Sequence, residues 1–176
     1  MLTIEFCVIE AKKKSLLQPL DERFVSFIGS SETVDAIFNA IKFTEPLCKN
    51  ILSANKLITI SENSFKMLEK KKVMIAGDSL SLALSFFLIQ EKLLLYNLNH
   101  YRKSIFATGA IRKEKKYFLD EVGNIDAKTK NINTQLYDLI ALPITNLQQV
   151  KPVLRNNFTS IGKNITIDEV VDLILK

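Results

Sequence analysis

The segment from residue 79 to 95 constrains the fold more than any other part of the chain, because it is apolar on nearly every side. It follows the turn-forming triplet Gly77-Asp78-Ser79, an order that predicts a helix from about Ser79 to Leu95. A helix without a polar face needs neighbours all around it, so we expect it at the centre of a folded domain. Its apolar run contains Ser81 and Ser85 and stops at Gln90, far short of the ~20 residues that cross a bilayer.

Length and composition favour one globular domain spanning residues 1–176. Of the 176 residues, 47% are hydrophobic and 24% are charged, so a core can form without a disulfide or metal staple. Cys7 and Cys48 are too few and too scattered for a disulfide framework or a zinc cluster, and we expect no metal and no cofactor. The N-terminus lacks the basic start of a signal peptide, so we expect a cytoplasmic protein without a membrane partner.

The rest of the chain alternates between strand and helix patterns, which predicts an α+β fold. Strands are predicted at residues 2–8, 24–28, 57–60, 73–76, 139–142 and 157–160, and a hairpin from residues 104–111 and 117–122. Helices are predicted over residues 31–41, after Gly123, and after the capping box that begins at Thr166. The lysine-rich segment between residues 60 and 73 is predicted to be a loop.

The triplet Gly77-Asp78-Ser79 is the first place where the sequence suggests chemistry. A serine where a β-type run meets a buried helix lies near unpaired backbone N–H groups and the positive end of the helix dipole, which favour a developing negative charge. The alternative is that Asp78 or Ser79 only caps the helix.

Lys128 is the second such place. If Ile125 opens the helix after Gly123, then Ile125, Lys128 and Ile132 share one face, which should turn to the core, whereas Lys130 should be solvated. Apolar surroundings disfavour the charged amine, so its pKa should fall and the neutral amine can act as a general base. The alternative is a lysine whose stem is buried while its amine reaches water.

Together, Ser79 and Lys128 predict a Ser-Lys dyad, in which the lysine takes the proton of the hydroxyl and no histidine is required. His100 is the only histidine and lies beside a predicted turn, and neither cysteine has a catalytic motif around it. The glycine motifs that bind nucleotide phosphates do not occur in the sequence.

Several motifs occur in the order and with the spacing of one known family. Gly77-Asp78-Ser79-Leu80-Ser81 is similar to a Gly-Asp-Ser-Ala-Ser nucleophile motif, and Thr108-Gly109-Ala110-Ile111 to a Thr-Gly-Glu/Ser-Ile segment. Residues 122–128 resemble Val-Gly-Gly-Val/Leu-x-x-Lys. Residues 2–5 match the opening strand, and residues 29–41 match a Gly-Ser-Leu-Gly turn and its helix. Leu142-Pro143 and the helix after Thr166 match the closing strand and helix. Over most of its length the chain thus resembles the proteolytic domain of Lon proteases, with a nucleophile motif similar to the archaeal, membrane-associated type.

This resemblance implies an α+β domain of ribosomal-protein-like β-α topology, with Ser79 as nucleophile, Lys128 as general base and Thr108 as the hydroxyl that holds the amine in line. It implies a serine endopeptidase that cleaves peptides or unfolded proteins through an acyl-enzyme, in a hexameric ring or with a partner ATPase. The chain departs from the family at Leu80, Ala110 and Asn124, which replace a small residue, an acid or hydroxyl, and a glycine.

Two other functions fit the sequence. One keeps the fold without the chemistry, as a Lon-like interaction or assembly module for a partner ATPase. The other is a basic module that binds nucleic acid through Lys70 to Lys72 and residues 112–116, since the net charge is +5. These lysines fall where turns are predicted and should be solvated, so no nucleic-acid partner is expected.

Overall fold

The computed structural model describes residues 3–11, 17–52, 55–98 and 101–176, and it mixes helices with strands, as the α+β prediction requires. The helices are α1 (Glu22–Val25), α2 (Ser31–Cys48), α3 (Glu62–Lys71), α4 (Ser81–Leu95), α5 (Ile125–Thr129), α6 (Ile144–Leu147) and α7 (Ile167–Leu175). The strands are β1 (Phe6–Glu10), β2 (Lys56–Ile60), β3 (Ile105–Ala107), β4 (Ala110–Lys113), β5 (Tyr117–Asp120), β6 (Leu139–Pro143) and β7 (Thr159–Ile161). Two 3-10 turns cover Thr134–Leu136 and Pro152–Asn157.

The strands form three small sheets. β1 pairs with β2 and β4 with β5, both antiparallel, whereas β3, β6 and β7 form a parallel sheet in that order. The β4–β5 pairing confirms the hairpin around residues 112–116. Its first arm was predicted too long, because the chain turns at Thr108 and Gly109 and divides residues 104–111 between β3 and β4.

Helix α4 occupies the centre, as predicted. It packs against α2, α7, β3 and β4, and large side chains on it are fully enclosed, among them Leu82, Leu84 and Phe86. It begins at Ser81, two residues later than predicted. No helix in the described part of the chain is long and apolar enough to cross a membrane.

Strand β6 separates two hydrophobic clusters. Its residues are all buried, and successive side chains point to opposite faces. Leu139 and Ala141 belong to the larger cluster around α4, whereas Ile140 and Leu142 belong to a smaller one that includes Val122. Contacts across β6 therefore determine how the two clusters are placed relative to each other.

The predicted strand at residues 24–28 is wrong. These residues form the short helix α1 and a turn, in which the N–H of Val25 donates to the carbonyl of Asp21 at 2.9 Å. Phe24 is fully buried and Arg23 pairs with Glu62, so tertiary contacts outweigh the β preference of the apolar residues. Within residues 24–28, only Ile28 makes a β-bridge, to Ile75. The strand predicted at residues 73–76 has no other strand-like pairing in the described part of the chain.

The predicted loop before residue 73 is also wrong, because it contains helix α3. Ser61 caps this helix by accepting a hydrogen bond from the Ser64 N–H, and Phe65 and Leu68 are buried three residues apart on one face. The many lysines in this segment obscured a short amphipathic pattern. They lie on the solvent side of the helix.

The remaining predicted elements occur near their expected positions, although α2 continues to Cys48, well beyond its predicted end at residue 41. β2, β6, α2 and α7 are confirmed, and the Thr166 side chain caps α7 by accepting from the Glu169 N–H, as the capping box predicted. The first strand begins at Phe6 rather than at residue 2, which lies outside the described residues, and the last strand begins at Thr159.

Candidate active site

The turn at residues 77–80, called the nucleophile turn below, is anchored to several neighbouring elements. Gly77 has a φ of +86°, a conformation that side-chain-bearing residues rarely adopt, so glycine is needed here. Its carbonyl accepts a hydrogen bond from the Thr33 hydroxyl at 3.0 Å, at the start of α2. Ser30 caps the same helix through the Thr33 N–H. The glycine-serine turn before α2 therefore supports the turn that carries Ser79.

Ser79 lies two residues before α4, half-buried, and its main chain is tied to the turn between β3 and β4. The Gly109 N–H donates to the Ser79 carbonyl at 3.0 Å, and the Leu82 N–H donates to the Gly109 carbonyl at 3.2 Å. The buried Ser81 hydroxyl adds a third link, because it accepts from the Ile111 N–H at 2.7 Å. In the sequence, Ser81 was noted as an interruption of an apolar helix and as the last residue of the nucleophile motif, but its role as a link to β4 was not predicted.

Neither the Asp78 nor the Ser79 side chain caps α4. The N-cap residue of α4 is Leu80, and in the described ranges no side chain caps this helix. The Asp78 carboxylate instead pairs with the guanidinium of Arg112 on β4, which also reaches Asp120 at 3.3 Å. Arg112 was assigned from sequence to a solvated turn, and its role in holding the residue next to Ser79 was missed.

Lys128 extends from α5 toward the same region. Asn124 adopts the left-handed conformation before the helix, a conformation that asparagine tolerates better than most residues. Ile125 is fully buried, Ile132 is buried in the same cluster and Lys130 is exposed, as predicted. Lys128 is half-buried and its pKa is lowered by desolvation, an effect that the charge of Asp78 opposes. The direction of this pKa shift is the one expected for a general base.

Asn146 positions the segment before α5, and no sequence motif marks it. Its fully buried amide accepts from the Val122 N–H at 2.9 Å and donates to the Val122 carbonyl at 3.0 Å. The side chain thus pairs with the main chain as a neighbouring strand would. A buried polar residue is retained where it satisfies such groups, so Asn146 fixes the start of the Lys128 segment.

The three predicted site residues line one cavity. Ser79, Lys128 and the buried Thr108 meet at a pocket of about 400 Å³, whose other walls are mainly apolar side chains. Thr108 is held through its N–H, which donates to the Ala141 carbonyl on β6 at 3.2 Å. Among the described residues, no hydrogen bond joins the Ser79 hydroxyl to the Lys128 amine, so the amine has to approach before a proton can transfer.

The two cysteines contribute little to this site. His100 lies outside the described residues, and Cys48 is buried, which raises the pKa of its thiol to about 11 and disfavours the reactive thiolate. Cys7 is half-buried rather than fully buried, and burial raises its pKa as well. Within the ranges that the structure covers, no three side chains of the metal-binding types converge.

No protein-family model matches the chain, and no curated protein is significantly similar to it.

Proposed function

We propose that this protein is a serine endopeptidase of the Lon type, with the corresponding β-α topology, that hydrolyses peptide bonds through a Ser79-Lys128 dyad. The observation that carries the proposal is that Ser79, Thr108 and Lys128, which the sequence singles out in three separate motifs, line one cavity. The lowered pKa of Lys128 supports the role of base. Thr108 is the hydroxyl beside the amine in this assignment.

The reaction begins with the neutral amine of Lys128. The amine takes the proton of the Ser79 hydroxyl while the Oγ attacks the carbonyl carbon of the peptide bond, which gives a tetrahedral oxyanion. The ammonium then donates that proton to the leaving amine as the C–N bond breaks and the acyl ester of Ser79 remains. Water attacks the ester, Lys128 again removes a proton, and the acid product leaves with the serine restored.

Main-chain donors are available for the oxyanion. The N–H groups of Ser79 and Leu80 donate to no acceptor in the described part of the chain, whereas those of Ser81 and Leu82 are bonded to the carbonyls of Asp78 and Gly109. Free donors beside a nucleophile are well placed to stabilise negative charge that develops on the substrate carbonyl. The helix dipole of α4 adds to this field.

A second candidate function is a catalytically inactive Lon-like module that assembles with a partner ATPase. It is favoured by the absence, in the described structure, of a hydrogen bond between the Ser79 hydroxyl and the Lys128 amine. Under the first proposal this separation belongs to a resting site that tightens with substrate, because catalytic contacts are often long in unliganded enzymes. In either case the partners we propose are unfolded chains or peptides, further copies in a hexameric ring, or an ATPase.

The test is hydrolysis of casein, an unstructured protein, by the purified chain and two variants. Ser79→Ala should abolish cleavage, and Lys128→Ala should reduce it by roughly 10³-fold or more because the hydroxyl then lacks its base. Both variants should keep the circular-dichroism spectrum of the parent. Full activity in either variant would refute the dyad, and an inactive parent with a normal fold would favour the assembly module.

A further inference from the structure

A cleft opens at the tip of the β4–β5 hairpin, outside the candidate active site. It has a volume of about 750 Å³ and is lined by residues 114–118 and Asp120 of the hairpin and by Lys163 and Asn164 in the turn after β7. No described residue lines both this cleft and the pocket at Ser79. We call it the tip cleft, and the proposed reaction does not use it.

The outer edge of β5 presents main-chain groups to the tip cleft. The Leu119 N–H donates outward to the Lys163 carbonyl at 2.8 Å, whereas the Glu114 N–H donates across the hairpin to the Lys116 carbonyl at 3.1 Å. Main-chain groups in an antiparallel pair alternate between the two sides of a strand, so those of Tyr117 point outward like those of Leu119. Among the described strands, β5 pairs with β4 alone. The N–H and carbonyl of Tyr117 can therefore pair with another extended chain.

The amines around this edge make the tip cleft basic. Lys115, Lys116 and Lys163 line it, and none of them forms an ion pair in the described part of the chain. Of the two carboxylates in the lining, Asp120 is already paired with an arginine of β4, which leaves Glu114. Three lysines against one unpaired carboxylate favour an anionic ligand.

Two of these lysines lie on the same face of the hairpin. Side chains alternate along β5 and the residue before it, so Lys116 lies on the face of Phe118 rather than that of Tyr117. The Lys163 amine lies 5.4 Å from the centroid of the Phe118 ring, so its charge belongs to the same face. A strand added at the edge of β5 presents every second side chain to this face. Acidic residues at alternate positions of such a strand therefore fit both amines.

The aromatic rings of the hairpin argue against nucleic acid as the ligand, although the sequence alone allows that class. Proteins bind single strands by stacking bases on the faces of aromatic rings. Here the Lys163 amine lies over the Phe118 ring. The Tyr117 ring has the Lys113 amine over it at 5.2 Å and the Phe43 ring packed against it. Rings engaged in this way offer little room to a stacked base, whereas the free edge of β5 suits a peptide.

We propose that the tip cleft binds an extended acidic segment of a partner protein, which pairs through its main chain with Tyr117 and places carboxylates against Lys116 and Lys163. Strand addition supplies the main-chain bonds, and the lysines select a segment with acidic residues at alternate positions. This site goes beyond the proposed peptidase and does not depend on the Ser79-Lys128 dyad.

The experiment measures binding of a fluorescein-labelled peptide of alternating Glu and Thr to the full chain by fluorescence anisotropy. The chain carries Ser79→Ala so that the peptide stays intact. A peptide of alternating Gln and Thr should bind at least about tenfold more weakly, because it lacks the charges, and added salt should weaken binding of the Glu peptide. Equal binding of the Glu and Gln peptides, or tighter binding of single-stranded DNA of matched length, would overturn the proposal.

A matched pair of double variants tests the location. Lys116→Glu with Lys163→Glu should weaken binding of the Glu peptide at least about tenfold. Lys70→Glu with Lys71→Glu makes the same change in net charge on α3 and should change binding by no more than about twofold. All four lysines are exposed, so both variants should fold, which circular dichroism checks. Equal losses in the two variants would show that net charge alone attracts the peptide and would overturn the site.

Methylated peptides test the strand pairing without changing the protein. In a strand, all Glu residues of the alternating peptide turn their N–H groups to one side and all Thr residues turn theirs to the other. Since only one side faces Tyr117, methylating one set of nitrogens should weaken binding about tenfold, and methylating the other set should change it little. Equal effects of the two methylated peptides would refute main-chain pairing.

Discussion

The two halves of the candidate site differ in how the fold holds them. The nucleophile turn is fastened on several sides, by Thr33 of α2, Gly109 before β4 and Arg112 of β4. The Lys128 segment depends on one five-residue helix, α5, and on Asn146 of α6, which bonds to the main chain of Val122 before that helix. The nucleophile is thus held by contacts from several elements, whereas the base lies on a short helix that fewer contacts hold.

The two halves also belong to different hydrophobic clusters. Leu82, just after the nucleophile turn, is in the cluster around α4, whereas Ile125, which anchors α5, is in the cluster on the other face of β6. Alignment of the Ser79 hydroxyl with the Lys128 amine therefore depends on packing across β6 as well as on the contacts within each half of the site. Because fewer contacts hold the Lys128 segment, displacement of this base is the easiest way to disable the site.

Among substitutions that compare the two halves of the site, Asn146→Ala is expected to have the largest effect. Removing the amide leaves the buried N–H and carbonyl of Val122 without partners, which should lower the free energy of unfolding by about 2–4 kcal/mol. Urea unfolding measures this change, and peptidase activity should fall further than stability requires because α5 loses its fixed start. The exposed Asn133→Ala is the control, and equal effects of both variants would show that Asn146 does not position Lys128.

A smaller effect is expected at the link between the nucleophile turn and β4. A Cβ added at Gly109 would lie 2.9 Å from the Leu119 Cδ1 and 3.0 Å from the Leu82 Cδ2. Gly109→Ala should therefore cost about 1–3 kcal/mol of stability and displace the bond to the Ser79 carbonyl. Gly162→Ala is the matched control, since a Cβ there meets no described atom within 4 Å, and thermal unfolding should separate the two.

The smallest effect concerns pH. The active base is the neutral amine, so the rate should rise with pH through the lowered pKa of Lys128. The charge of Asp78 raises that pKa, and Arg112 partly neutralises the charge. Arg112→Ala should therefore move the midpoint of the pH–rate profile upward. Arg23→Ala removes an exposed arginine paired with Glu62 and should leave the midpoint in place, and a downward shift for Arg112→Ala would contradict the account.

Much of the framework was predictable because it depends on local patterns. The all-round apolar helix, the hairpin at residues 112–116 and the capping box at Thr166 each correspond to an element of the structure. Ser79, Thr108 and Lys128, which come from three separate motifs, line one cavity, and their catalytic roles stay a prediction. The signals for the helix, the hairpin and the capping box each lie within one short stretch of the chain.

Helix α3 was missed although its cap and apolar face are local, but the other features that sequence reasoning missed depend on distant contacts. Asn146 bonds to Val122, 24 positions away, and Arg112 pairs with Asp78, 34 positions away. The helix in place of the strand at residues 24–28 likewise depends on the burial of Phe24 and on the pairing of Arg23 with Glu62. No local pattern marks such partners, because their roles arise only when the chain is folded.

Covalent labelling of Ser79 is the decisive test of the Ser79-Lys128 dyad. The purified chain is treated with a small organophosphonate probe that reacts with activated serines, and the adduct is located by mass spectrometry of its peptides. We expect one adduct, on Ser79, that is absent in Ser79→Ala and forms far more slowly in Lys128→Ala. An adduct on another residue, or an unchanged labelling rate in Lys128→Ala, would contradict it.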